Sequence, residues 1–111
     1  MNKTVPVTQY YKGKPIATYT SMSVAARLSG AYVSNISEVV NGGRSTAGGY
    51  SWKRAGARSG SIFAYTTGGS LVASFRGQEG LESGVTSVPI SRVLQVLRGQ
   101  RATAGGLVWT E

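Results

Sequence analysis

The stretch NGGRSTAGGYSWK, residues 41–53, is nearly repeated at the other end of the chain as RGQRATAGGLVWT, residues 98–110. Both stretches carry Arg, Thr, Ala, Gly, Gly and Trp in the same order. Each of these residues lies 57 positions before its equivalent, as Trp52 does before Trp109. An unbroken register of this kind indicates an internal duplication, which decides the fold because one structural unit must then occur twice.

The duplication extends upstream of these stretches. Val39 matches Val96 at the same separation, and VTQYYKGKPIATY at residues 7–19 matches IFAYTTGGSLVASF at residues 62–75 after a one-residue shift. Between the copies, RAGARSGS is small, polar and basic, as linkers are. The sequence therefore predicts repeat unit 1 at residues 1–54, a basic linker at 55–60 and repeat unit 2 at 61–111.

Each unit is predicted to begin with a short β-hairpin, because β-branched and aromatic runs flank Lys12-Gly13 in the first copy and Gly68-Gly69 in the second. A helix should follow in the first copy. Ser21 can cap its free amides, and Gly30 can end it in a left-handed conformation.

A second helix is predicted from apolar residues at helical spacing, with Asn41-Gly42 as its stop. The apolar residues are Val33, Ile36, Val39 and Val40. Two short helices joined by a tight turn form a helix-turn-helix. The predicted fold class is therefore α+β, with two tandem repeats, each a hairpin plus a helix-turn-helix closed by a Gly-Gly-x-x-Trp segment.

The two predicted helices of the second copy differ in how strongly the sequence favours them. PISRVLQVLRG begins with Pro89, which suits a first turn, and has a clear apolar side. The preceding GQEGLESGV contains Gly77, Gly80 and Gly84, each of which costs about 1 kcal/mol in a helix interior relative to Ala. We therefore expect a short, irregular first helix and a degenerate helix-turn-helix in this copy.

The composition excludes most catalytic chemistry. The chain has no Cys, His or Asp, and its carboxylate side chains are Glu38, Glu79, Glu82 and Glu111. Metal-dependent hydrolysis needs His or several acidic ligands, so we expect no catalytic residues, no metal and no cofactor, and no enzyme activity. Twelve Lys and Arg give a formal net charge of +8, which favours a polyanion as partner. No apolar run reaches the length of a membrane span, and the amino terminus does not resemble a signal peptide; we expect a cytoplasmic protein without a membrane partner.

The chain resembles a known family over nearly its whole length, as two tandem modules. The first copy carries three of the motifs: Tyr19-x-Ser21 with Ala25-Ala26, the Ile36 to Gly42 helix and stop, and Gly48-Gly49-x-x-Trp52. The second copy carries the resemblance in ISRVLQVLRGQRATAGGLVW at residues 90–109. These are similar to the NUMOD1 module, the intron-encoded nuclease repeat found beside catalytic domains of homing endonucleases. That family's modules are helix-turn-helix units that direct an attached nuclease to DNA. The resemblance implies a phage-encoded DNA-targeting part without the nuclease domain.

The predicted function is therefore non-catalytic binding of double-stranded DNA. The second helix of each unit would face the major groove, where Asn, Gln and Arg can read base edges. The base-reading candidates are Ser34, Asn35, Ser37, Glu38, Asn41, Ser91, Arg92, Gln95 and Arg98. The phosphate-binding candidates are Arg44, Lys53, Arg54, Arg58 and Arg101. Trp52 and Trp109 are expected to cover the core rather than to contact bases.

Two other functions remain open from the residues alone. The chain could be a phage-encoded interaction factor that binds and inhibits or redirects a host protein, since the recognition faces of the two copies differ. RNA binding through exposed aromatics such as Tyr11 and Tyr32 is a third possibility, although no RNP-like aromatic strand signature is present. The sequence leaves the oligomeric state open.

Overall fold

The computed structural model describes residues 5–54, 60–85 and 87–111. Most of the predicted linker, at 55–59, lies outside the described residues. A hairpin, two helices and a strand follow one another in the first half of the chain (residues 5–54) and again in the second half (residues 60–111). The elements are β1 (Val7–Tyr11), β2 (Lys14–Tyr19), α1 (Met22–Ser29), α2 (Val33–Val40), β3 (Ser51–Arg54), β4 (Ile62–Thr66), β5 (Leu71–Phe75), α3 (Gly77–Gly84), α4 (Ile90–Leu97) and β6 (Leu107–Thr110).

The strands form one six-stranded antiparallel sheet in the order β3-β1-β2-β5-β4-β6. Three strands come from each half, and β2 pairs with β5 at the centre. Thr18 lies opposite Ser74 in this central pair. The α+β class is as predicted, and the two halves of the chain share one sheet.

All four helices pack on one face of the sheet, because their buried side chains join those of the strands in a single core. A row of aromatic rings crosses this face. Trp52 stands 6.1 Å from Tyr19, Tyr19 stands 5.8 Å from Phe75, and Phe75 stands 5.5 Å from Trp109, measured between ring centroids. Such ring pairs add to the stabilisation from area burial. The core therefore runs without a break from one half into the other.

The ends of the first helix pair form as predicted. The Ser21 hydroxyl accepts a hydrogen bond of 3.2 Å from the Val24 amide, and Gly30 is left-handed at φ 83°. The structure places only Ala31 and Tyr32 between Gly30 and the start of α2. This short connection explains why the two helices contact each other.

Helix α3 is short, as expected, with eight residues like α1, and it is irregular at its start, where Gly77 has a φ of 68°. Its place on the sheet depends on a close backbone approach at Gly80. A Cβ at that position would overlap the carbonyl oxygen of Ile16 on β2. The glycine lowers helix propensity but lets α3 lie directly on the other half's strand, where Leu81 is fully buried. Tertiary packing thus outweighs propensity.

Val33 differs in burial from the other apolar residues of α2. Ile36 and Val39 of α2 are buried as expected, and Val40 packs against the core. Val33, in contrast, is 45% exposed at the first position of the helix. Helical spacing puts it on the apolar side, but the core does not reach that end of α2. No helix among the described residues is long and apolar enough to cross a membrane.

Candidate nucleic-acid interface

Helix α2 packs on β3 at one edge of the sheet, and α4 packs on β6 at the opposite edge. Each helix buries two residues toward the sheet: Ile36 and Val39 in α2, Val93 and Val96 in α4. Because the apolar side of each helix is covered in this way, its polar side is turned away from the core.

The predicted base-reading residues follow this division. In the first half Ser34, Glu38 and Asn41 are exposed, whereas Asn35 and Ser37 are half-buried. The Asn41 amide donates to the Ser37 hydroxyl across 3.4 Å, one turn back along the helix end. In the second half all the candidates are exposed, and they are Ser91, Arg92, Gln95 and Arg98.

Arg44 and Arg101 adopt the same local geometry, one in each half. Nε of Arg44 donates 2.8 Å to the Thr46 carbonyl, and Nε of Arg101 donates 2.9 Å to the Thr103 carbonyl. Both side chains are exposed just beyond α2 and α4. Each guanidinium carries further N–H donors on its terminal nitrogens, which can donate to an external anion.

The other phosphate candidates do not share this location. Lys53 lies opposite Thr8 on β1, so strand alternation places it on the sheet face away from the helices, with Nζ 5.5 Å from the Tyr10 ring centroid. Arg54 lies opposite Val7 and belongs to the helix-bearing face, at the exposed end of β3. Arg58 lies outside the described residues.

The Gly-Gly turns contact the connections between the paired helices. A Cβ on Gly48 would lie 2.9 Å from the Ala31 Cβ in the α1–α2 connection, and one on Gly105 would overlap Val88 in the α3–α4 connection. Both glycines have positive φ, 62° and 61°. Each Gly-Gly turn therefore packs closely against the connection between two helices. A larger residue at the glycine would push that connection away.

The tryptophans after these turns are core residues, as predicted. Trp52 and Trp109 are each 2% exposed. Their indole Nε1 atoms donate to the carbonyls of Ala47 and Ala104, at 3.0 and 2.9 Å. The hydrogen bond fixes each loop to the strand that follows it and so holds Arg44 or Arg101 near its helix end.

Tyr32 and Val33 are surface residues at the start of α2 that the list of base-reading candidates omitted. Tyr32 is 76% exposed and Val33 is 45% exposed, and they are adjacent. Large apolar side chains in such a position can contact thymine methyl groups or the apolar surface of another protein. Tyr32 was expected to be exposed, but only as an RNA contact, and Val33 was grouped with the apolar residues of α2 by helical spacing.

Comparisons with protein-family models, with curated proteins and with solved structures found no match to this chain. Within residues 5–54, 60–85 and 87–111, no three His, Cys, Asp or Glu side chains form a group that could hold a metal ion.

Proposed function

We propose that the protein binds double-stranded DNA through two helix-turn-helix units, α1–α2 and α3–α4. The observation that carries this proposal is the equivalent placement of an exposed polar helix face and a loop-anchored arginine in both halves. Base-reading side chains and phosphate-positioning side chains occupy neighbouring surfaces in known DNA-binding helices.

The helix connections fit this class of motif. In helix-turn-helix proteins a turn of a few residues joins two helices, and the second helix enters the major groove. Here α1 and α2 are separated by three residues, and α3 and α4 by five. The resemblance of the first copy to the NUMOD1 module supports the same assignment.

Charge supports a polyanionic partner as well. The formal net charge is +8, and the arginines near the ends of α2 and α4 would lie beside the phosphates that flank an occupied groove. Phosphate contacts give affinity without sequence preference, whereas Arg92, Gln95 and Arg98 on α4 can pair with guanine or adenine edges.

The dimensions fit two successive grooves on one side of the duplex. Strands β3 and β6 are five strand spacings apart, about 24 Å, and the longest dimension of the chain is 43 Å. One turn of B-DNA, about 34 Å, lies between these values. The chain is therefore long enough for α2 and α4 to reach adjacent major grooves.

The test is fluorescence anisotropy with a labelled 30-base-pair duplex of mixed sequence, titrated with the intact chain at about 0.1 M salt. Binding with a micromolar or tighter dissociation constant, abolished by unlabelled duplex but not by an equal mass of a neutral polymer, is expected. A lack of binding to duplex DNA at micromolar protein would contradict the proposal.

A protein partner is the second candidate function, because Tyr32 and Val33 form an exposed apolar pair. Aromatic side chains often carry most of the energy of protein interfaces. In nuclease-treated bacterial lysate, the intact chain would then retain one stoichiometric partner, and Tyr32→Ala would lose it. Retention of proteins only while nucleic acid is intact would favour DNA binding instead.

A further inference from the structure

The central strand pair relates the two halves by rotation, although their sequences are tandem. Residues of β2 match those of β5 at a separation of 56, so that Thr18 is equivalent to Ser74 and Tyr19 to Phe75. Thr18 lies directly opposite its own equivalent, Ser74. A residue can face its equivalent in an antiparallel pair only when a two-fold axis passes between them.

The neighbouring contacts obey the same symmetry. Ala17 lies opposite Phe75, and Tyr19 lies opposite Ala73, which exchanges equivalent partners across the axis. The hydrogen bonds at the two ends of the pair are also equivalent. The Thr20 amide donates to the Val72 carbonyl at 2.9 Å, and the Arg76 amide donates to the Ile16 carbonyl at 3.0 Å. The central pair is thus an isologous interface within one chain.

This axis is perpendicular to the sheet, and the strand order β3-β1-β2-β5-β4-β6 is symmetric about it. Since all four helices lie on one face, the rotation keeps α2 and α4 on that face and exchanges them. Their chain directions are therefore reversed relative to each other. Two-fold related recognition helices face inverted half-sites, because a DNA duplex has two-fold axes of the same kind.

The side chains at equivalent positions of the two helices differ. Ser34 matches Ser91, but Asn35 is replaced by Arg92 and Asn41 by Arg98. Asn favours adenine, whereas Arg favours guanine. The two half-sites would therefore be inverted relative to each other but would differ in part of their sequence.

Building on the proposed function, we infer that the DNA target is an imperfect inverted repeat, with half-site centres about 10–11 base pairs apart. Tandem repeats in the protein would then read inverted, not direct, repeats in the DNA. The shared sheet fixes the spacing, because the β2–β5 pair and the aromatic row leave little freedom between the halves.

The experiment selects tight-binding duplexes from a pool with 24 random base pairs, using the intact chain. From the selected site, three duplexes are then made: one with a half-site reversed to give a direct repeat, one with 5 base pairs inserted between half-sites, and one with 10 inserted. Each change should weaken binding at least tenfold. The 5-pair insertion turns one half-site to the far side of the duplex, and the 10-pair insertion exceeds the reach of a rigid sheet.

The chain has no cysteine, so single variants Ser45→Cys and Ala102→Cys, at equivalent exposed positions outside the candidate contacts, can carry an iron–EDTA cleavage reagent. On the selected site the two reagents should cut patterns that are mirror images about the centre of the repeat. Cleavage patterns of the same polarity, selection of direct repeats, or equal affinity for the 10-pair insertion would overturn the inverted arrangement while leaving DNA binding intact. Failure to bind any duplex in the pool would instead overturn the proposed function and the inference together.

Discussion

The Tyr19 hydroxyl donates a hydrogen bond of 2.7 Å to Oε1 of Gln9, inside the core beneath the helices. Burial, with a smaller effect from the neighbouring Tyr50 hydroxyl, raises the pKa of Tyr19 far above its ordinary value. The proton therefore remains on Tyr19 in the folded chain at pH values where an unfolded tyrosine has lost it.

Alkaline pH should destabilise the protein through this residue. The unfolded state releases the proton near pH 10, so the contribution of Tyr19 is complete below that value and is lost as pH rises above it. Denaturant unfolding at several pH values from about 9 to about 11.5 measures the slope. Tyr19→Phe should flatten it by up to about 1.4 kcal/mol per pH unit, and should cost about 1–2 kcal/mol at neutral pH because Gln9 loses a donor. Tyr32→Phe is the matched control for loss of a hydroxyl, and an identical slope in parent and Tyr19→Phe would contradict the expectation.

Gly80→Ala should destabilise the fold even though alanine is the better helix former. The added methyl group would overlap the Ile16 carbonyl oxygen, and overpacking of this kind costs about 1–3 kcal/mol. Gly43→Ala is the control, since its Cβ would lie 3.7 Å from the Glu38 carbonyl oxygen, an ordinary contact. Thermal unfolding followed by tryptophan fluorescence measures both variants. A higher melting temperature for Gly80→Ala than for the parent would show that α3 does not lie on β2 as described.

Removing Arg44 and Arg101 together should weaken binding to all duplexes alike. If each contacts one phosphate, the slope of log affinity against log salt should fall in magnitude by about 1.8 in the Arg44→Gln/Arg101→Gln variant. Lys53→Gln removes a charge from the opposite face of the sheet and should change the slope much less. Titrations between about 50 and 300 mM salt measure the difference. Equal effects of Lys53→Gln and Arg44→Gln would show that the interface is not confined to the helix-bearing face.

Arg92→Ala should reduce sequence preference under α4. A bidentate contact with guanine is worth about 1–3 kcal/mol of discrimination, so affinity should fall about 5- to 150-fold on the preferred duplex and much less on a duplex altered in that half-site. Competition binding with the two duplexes measures the ratio. Gln100→Ala, at an exposed position beyond α4 that is not a candidate contact, is the control. Equal losses on both duplexes would identify Arg92 as a phosphate ligand.

Tyr32→Ala should leave stability almost unchanged, because the side chain is 76% exposed, and should weaken duplex binding by about 1 kcal/mol or more if it contacts bases. The melting temperature and the dissociation constant are measured on the same preparation. Tyr65→Ala, which alters a half-buried tyrosine of β4, should show the reverse pattern. If Tyr32→Ala bound DNA as tightly as the parent, Tyr32 would not contact DNA, and the proposal that it contacts a protein partner would remain.

Local signals in the sequence predicted most of the elements because their causes are local. The Ser21 cap, the Gly30 helix end and the Lys12-Gly13 hairpin each depend on residues within a few positions. The packing of α3 on β2 could not be predicted, because a glycine costs helix propensity locally, while the benefit at Gly80 comes from Ile16, far away in the sequence.

The β2–β5 pair could not be predicted for a different reason. Internal duplication indicates that two copies exist, but residues such as Thr18 and Ser74 do not encode which strand meets which. Helical spacing predicted the exposed residues of α4, since an exposed face needs only the local period. It did not predict that Asn35 and Ser37 of α2 are half-buried or that Val33 is exposed, because the extent of the core depends on how all the elements pack.

The union of the two halves by paired strands within a single chain also affects how the protein responds to dilution. Two copies on separate chains, paired through the same strands, would dissociate as their concentration fell. At low concentration the amount of the paired form would then vary with the square of the protein concentration. Here the two copies belong to one covalent chain, so each copy always has its partner beside it. Both helix pairs therefore stay assembled at a few molecules per cell, and occupancy of any target would rise in simple proportion to the amount of protein made.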